Sequence, residues 1–166
     1  MLWVALLFAG VVGVARTFLI EEEQGTGDLL RLWARPEPVF WGKTLYNLAL
    51  ICIVALVVVP MFALFVGIQI VDYALLFGGL ISGCAALAAA IGFCGSLVAR
   101  SKSRGALAGV ISIPVLLPVV VLGVGALRES FGDPGTLGWT SVLGLAGLAT
   151  AFAAAGPYLY AAVWKQ

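Results

Sequence analysis

Few residues in this sequence are equipped for chemistry, and most of those few lie close together. Between Arg16 and Thr44 stand four of the nine Lys and Arg and five of the eight Asp and Glu. A run of carboxylates such as Glu21-Glu22-Glu23 does acid–base work only beside a group that titrates near neutral pH, and the chain contains no histidine. Gly42-Lys43-Thr44 has the ending of a phosphate-binding loop. Set against G-x-x-x-x-G-K-T, however, the first glycine position is Glu37. Pro38, Val39, Phe40 and Trp41 follow, too bulky for backbone N–H groups to wrap a phosphate. Lys43 reads instead as an anchor at a helix start, and no ATP site is expected in this chain. Cys52, Cys84 and Cys94 fall in apolar runs without C-x-x-C spacing. They read as small packing residues, with redox or ligand roles as the lesser alternative. The chain is therefore not read as an enzyme, and no metal or resident cofactor is expected.

The elements that carry these residues are set by composition. Apolar residues make up 63% of the chain and charged ones 10%, where soluble domains hold about a quarter charged. With a mean hydropathy of +1.14 the chain reads as an integral membrane protein. Helices of about 20 residues are needed to cross a hydrocarbon core of about 30 Å, so 166 residues hold five spans and short loops but no soluble domain. The fold class expected is all-α, a polytopic membrane helix bundle forming a single transmembrane domain over residues 1–166. A net charge of +1 gives no sign of nucleic acid as a partner.

The spans are expected at about 2–20, 45–66, 74–99, 105–127 and 139–164. The first is the least regular, because Leu2 to Ala15 alone is too short to cross. Either it continues past Arg16 through Phe18, Leu19 and Ile20 with the arginine snorkelling, or residues upstream of Met1 are missing, the reading favoured; a cleaved signal peptide lacks its basic region here. Pro60 late in the second span, and Pro114 and Pro118 one turn apart in the fourth, are expected to bend or unwind their helices. Gly79 and Gly83 form a G-x-x-x-G pair suited to close packing within the chain or to pairing with a second copy. Trp139, Tyr158, Tyr160 and Trp164 stand where interfacial aromatics belong.

Positive charge alternates between the loops: four Lys/Arg in residues 16–44, none in 67–73, three in Arg100-Ser-Lys102-Ser-Arg104 and one in 128–138. The positive-inside rule places the first and third of these, with Lys165 and the C-terminus, in the cytoplasm. Five spans then leave Met1 outside, which again suggests an absent upstream helix and six spans in a complete protein.

The cytoplasmic stretch 21–44 divides at its own punctuation. Gly25-Thr26-Gly27 reverses the chain, Thr26 caps a short helix, and Asp28 sits in its first turn against the dipole. That helix sets Leu29, Leu30, Leu32 and Trp33 beside Asp28, Arg31 and Arg35, and Pro36-Glu37-Pro38 ends it. An apolar side with a charged rim suits docking into a partner's groove. The competing reading is a helix lying in the lipid headgroups, anchored by Trp33 and Trp41. Glu22 reads best as solvated, Glu21 and Glu23 less clearly so.

The run Glu21-Glu-Glu-Gln-Gly25-Thr26-Gly-Asp28-Leu29-Leu30, followed by proline and Gly42-Lys43, resembles the cytoplasmic motif of ABC-2-type permeases. Lys102-Ser-Arg104-Gly105-Ala-Leu107, Ile113-Pro114, Leu117-Pro118 and the closing Gly156-Pro157-Tyr-Leu-Tyr-Ala-Ala162 narrow the resemblance to the haem exporter protein B family of the cytochrome c maturation system. It runs from Leu2 to Gln166 and lacks the family's first helix. Two departures bear on docking: Gly27 stands where that family usually has leucine, and Trp33-Ala-Arg35 replaces a more apolar stretch.

The resemblance implies a permease subunit that couples ATP hydrolysis by a separate ABC ATPase subunit to haem export, or to release of a haem-loaded chaperone. Its implied partners are that ATPase, a haem-handling membrane protein, a small single-span subunit, an external haem chaperone and membrane lipid. Haem is then cargo, and ATP belongs to the partner. Glu21, Glu23, Gly25, Thr26, Asp28, Leu29, Leu30 and Trp33 are the expected ATPase-docking residues, and Arg100, Lys102 and Arg104 a basic cytoplasmic loop. A stand-alone channel or secondary carrier is the alternative. It fits less well, because every charge lies at or near a span end and no inverted repeat is visible.

Overall fold

The computed structural model describes residues 2–14, 36–67, 70–98, 104–133 and 138–164. They form five helices: α1 (Leu2–Val14), α2 (Pro36–Val66), α3 (Tyr73–Val98), α4 (Arg104–Ser130) and α5 (Gly138–Trp164). No strand occurs among the described residues, so the bundle is all-helical as expected. Four helices contain apolar stretches long enough to cross a membrane: 36–65, 73–97, 113–130 and 138–162. With its 13 residues, α1 reaches only about 20 Å.

The packing order follows from side-chain size. α3 touches all four other helices, and 61% of its most apolar stretch is buried, against 11% for α2 and for α5. Gly79, Gly83, Ala86, Ala88, Ala89, Ala90, Gly92, Gly95 and Ser96 are all buried on it. Short side chains on every face let four neighbours approach one axis, where dispersion replaces the hydrophobic drive that lipid cannot supply. The Gly79–Gly83 face is filled within the chain. A Cβ on Gly79 would stand 3.1 Å from that of Ala126 in α4, and one on Gly83 within 2.8 Å of three Trp3 ring carbons from α1. Trp3 also lies against Gly123 of α4, so its ring keys α1 between two glycines. Its indole N–H is buried without a hydrogen-bond partner.

Outside this core the exposed surface is apolar. Leu45, Ile53, Leu56, Leu64 and Phe65 of α2, Ile113 and Val121 of α4, and Leu143 of α5 all face outward. A continuous apolar exterior of this extent needs lipid around it.

The two ends of the bundle differ. At one end α2 finishes at Gly67, whose φ of 63° is the left-handed conformation that closes a helix C-terminus, its N–H reaching Ala63 O at 3.1 Å. Asp72 caps α3 through Leu75 N at 3.0 Å, and Val71 N and Asp72 N both donate to Ser130 O. The Glu129 carboxylate accepts from Gly138 N and so starts α5, while Arg128 pairs with Asp133 at 3.0 Å. This is the Asp72 end. The opposite, Pro36 end gathers the start of α2 and the last turns of α3 and α5.

Two expectations about helix bounds change. α2 begins at Pro36, not at Leu45, so residues 36–44 are its first turns and not part of a loop. Pro36 and Pro38 lie where helix N–H groups have no intrahelical acceptor, so prolines there start a helix as readily as they stop one. No unwound turn appears at Pro60, Pro114 or Pro118, and helical backbone runs through all three.

Candidate functional site

α2 enters the bundle directly from the polar segment. Pro36 sets the first helical φ, and Glu37 lies in the first turn, where a carboxylate favours the helix dipole. From there Phe40, Thr44, Asn47, Ile51 and Ala55 follow at helical spacing, all buried. Trp41 and Gly42 turn outward. Gly42-Lys43-Thr44 therefore lies within a helix, a geometry in which backbone N–H groups are committed to the helix and cannot wrap a phosphate.

The Phe40 ring is completely buried and sits on two glycines. A Cβ on Gly156 of α5 would lie 2.8 Å from Cε2 and 3.0 Å from Cε1, and closer still to Cζ; one on Gly92 of α3 would lie 3.5 Å from Cε2 and Cζ. Tyr160, one turn beyond Gly156, packs on the ring at 6.0 Å between centroids, and Trp41 lies edge-on at 6.0 Å. Thr44 supports the arrangement from the next turn. Its Oγ1 donates to Phe40 O at 2.9 Å and lies 2.8 Å from where a Gly92 Cβ would be. Phe93 of α3 and Phe152 of α5 stack at 5.4 Å. The result binds α2, α3 and α5 at the Pro36 end. Phe40 and Tyr160, with Val39 against them, form a small apolar cluster, whereas Phe152 packs on the main core.

Glu21, Glu23, Gly25, Thr26, Asp28, Leu29, Leu30 and Trp33 lie outside the described residues, as do Arg100 and Lys102; Arg104 opens α4. Pro60 and Pro114 are exposed and Pro118 is half-buried, far along their helices from Phe40. Tyr160 differs from expectation: it is buried on Phe40, whereas Tyr158 and Trp139 are exposed as interfacial aromatics are. Cys84 and Cys94 are buried, Cys52 is exposed, and none of the three forms a disulfide. Phe40 was not expected as a packing residue, because residues 36–44 read as a loop. The stripe from Phe40 to Ala55, continuous at helical spacing, is the signal that finds it.

Compared singly with curated proteins, the chain matches none. It does match the model of the CcmB protein family over residues 1–165, a span that takes in the polar segment, the Phe40 cluster and all five helices. The chain thus belongs to the CcmB protein family, a membrane component of the haem export system for cytochrome c maturation.

Proposed function

We propose that this chain is the permease subunit of an ABC transporter in the bacterial inner membrane, its C-terminus cytoplasmic. It couples ATP hydrolysis on a separate subunit to export of haem or release of a haem-loaded chaperone. The observation that carries this reading is where charge lies. Every described charged residue, Glu37, Lys43, Asp72, Arg104, Arg128, Glu129 and Asp133, stands at or near a helix end or in a connection. Ion-driven carriers need ionisable groups at depth; a chain driven through a cytoplasmic handle does not.

The handle is the Thr26–Trp33 segment, with Leu29, Leu30 and Trp33 as its apolar contacts and Glu21, Glu23 and Asp28 as its charged rim. Closure of the ATPase pair pushes on it, and the attached helices move as near-rigid rods. The bend-prone Pro114–Pro118 stretch of α4 absorbs part of that motion. Haem is cargo, and a haem-handling membrane protein, a small single-span subunit and an external chaperone complete the assembly. Replacing Leu29 and Leu30 together by aspartate tests the reading. Co-purification of the ATPase and cytochrome c maturation should both be lost while the chain stays membrane-inserted; intact maturation would overturn it.

A further inference from the structure

Phe40 stands five residues after Arg35, the last residue before the described part of α2. The polar segment joins α1 at Val14 and α2 at Pro36, and on the α2 side its displacement reaches the bundle through this turn. The ring leaves no slack at Gly156, since even a methyl there would overlap it. Displacement of α2 at this level therefore bears directly on the α5 backbone.

The second observation lies on α5 itself. The residue after Gly156 is Pro157, inside a helix that runs on to Trp164. Proline has no N–H, so the Ala153 carbonyl four residues back lacks its intrahelical donor. The turn that receives Phe40 is thus the turn of α5 with one backbone hydrogen bond fewer. Hard contact and compliant receiver coincide.

We propose that Phe40 is a positioning residue for energy coupling: its ring, seated on Gly92 and Gly156, hands displacement of the cytoplasmic segment to α5, and the Gly156–Pro157 turn takes it up. This inference rests on the permease reading above.

Pro157→Ala tests it most cleanly, because it restores a donor in mid-helix and removes no packing at Phe40. The intact membrane assembly with its ATPase subunit is used throughout. For Pro157→Ala and for Phe40→Ala, ATPase association and hydrolysis should stay near the parent level while mature cytochrome c per ATP consumed falls roughly tenfold, a usual size for a lost coupling. Phe40→Leu combined with Gly156→Ala refills the contact from the other side and should recover most of that loss. Nitroxide labels at Gly42 and Ala162, both exposed, in a chain whose cysteines are replaced by alanine give a second readout. Their separation should be narrow and alike in ATP-trapped and ADP states of otherwise unaltered protein, and broad in Phe40→Ala.

Unchanged maturation in Pro157→Ala, or losses that merely follow the amount of protein in the membrane, would overturn the proposal. So would a label separation that already changes between nucleotide states with Phe40 in place. Failure of the permease reading shows separately and earlier: the parent assembly would then contain no ATPase, and the coupling role would fall with it.

Discussion

Adding one methyl at Gly156 is the sharpest perturbation of the Phe40 contact. An alanine Cβ would overlap Cζ and stand 2.8 Å from Cε2, and the ring has little room to withdraw, with Gly92, Tyr160 and Trp41 around it. Overpacking of this kind costs about 1–3 kcal/mol. Exchanging glycine for alanine within a helix returns about 0.8–1.0 kcal/mol. Gly156→Ala should therefore destabilise the bundle by up to about 2 kcal/mol, the difference of those two terms. Phe40→Leu alone empties part of the socket and costs about 1–2 kcal/mol, at the low end for core truncation because lipid also solvates the separated helices. Leucine lacks the three ring carbons, Cε1, Cε2 and Cζ, that a methyl at Gly156 would meet. The double variant should then be no less stable than the worse single one, a departure from additivity equal to the smaller of the two single losses, up to about 2 kcal/mol. Thermal unfolding in bicelles can be followed by a thiol-reactive fluorophore, since Cys84 and Cys94 are buried and Cys52 supplies a constant background. Additive losses within about 0.5 kcal/mol would refute the contact.

Three further outcomes follow from the packing. Trp3→Ala opens a void between Gly83 and Gly123 and should cost about 2–4 kcal/mol, whereas Trp3→Phe should cost clearly less because it also removes an unpartnered N–H; the same thiol assay ranks them. Asp72→Ala removes the cap of α3 and should cost about 1 kcal/mol by that assay. Arg128→Ala breaks an exposed pair with Asp133 and should shift stability by less than about 1 kcal/mol, with the difference shrinking further at high salt.

Much of the fold was legible in the sequence because lipid imposes one rule: long apolar runs must be helices, since no water satisfies their backbone. The runs after Leu45, Ala74, Gly105 and Trp139 show it directly. The start of α2 was not legible by the same rule. Pro36-Glu37-Pro38 carries opposite meanings at the two ends of a helix, and only packing of Phe40 and Thr44 decides between them. The Gly79–Gly83 pair announced close approach without saying to what, because glycine records the absence of a side chain; Ala126 and Trp3 supply the answer. Gly156-Pro157 stood out as part of a family motif. Its physical role needed the ring that crosses from another helix, a contact between residues more than a hundred positions apart that no local pattern encodes.

The central claim, that a nucleotide-driven subunit grips the segment ahead of α2, is tested most directly by a photoreactive amino acid placed at Leu30. Irradiating native membranes and sequencing the adduct should return an ATP-hydrolysing subunit as the dominant partner. Adducts to lipid alone, from membranes in which that subunit is present, would contradict the account.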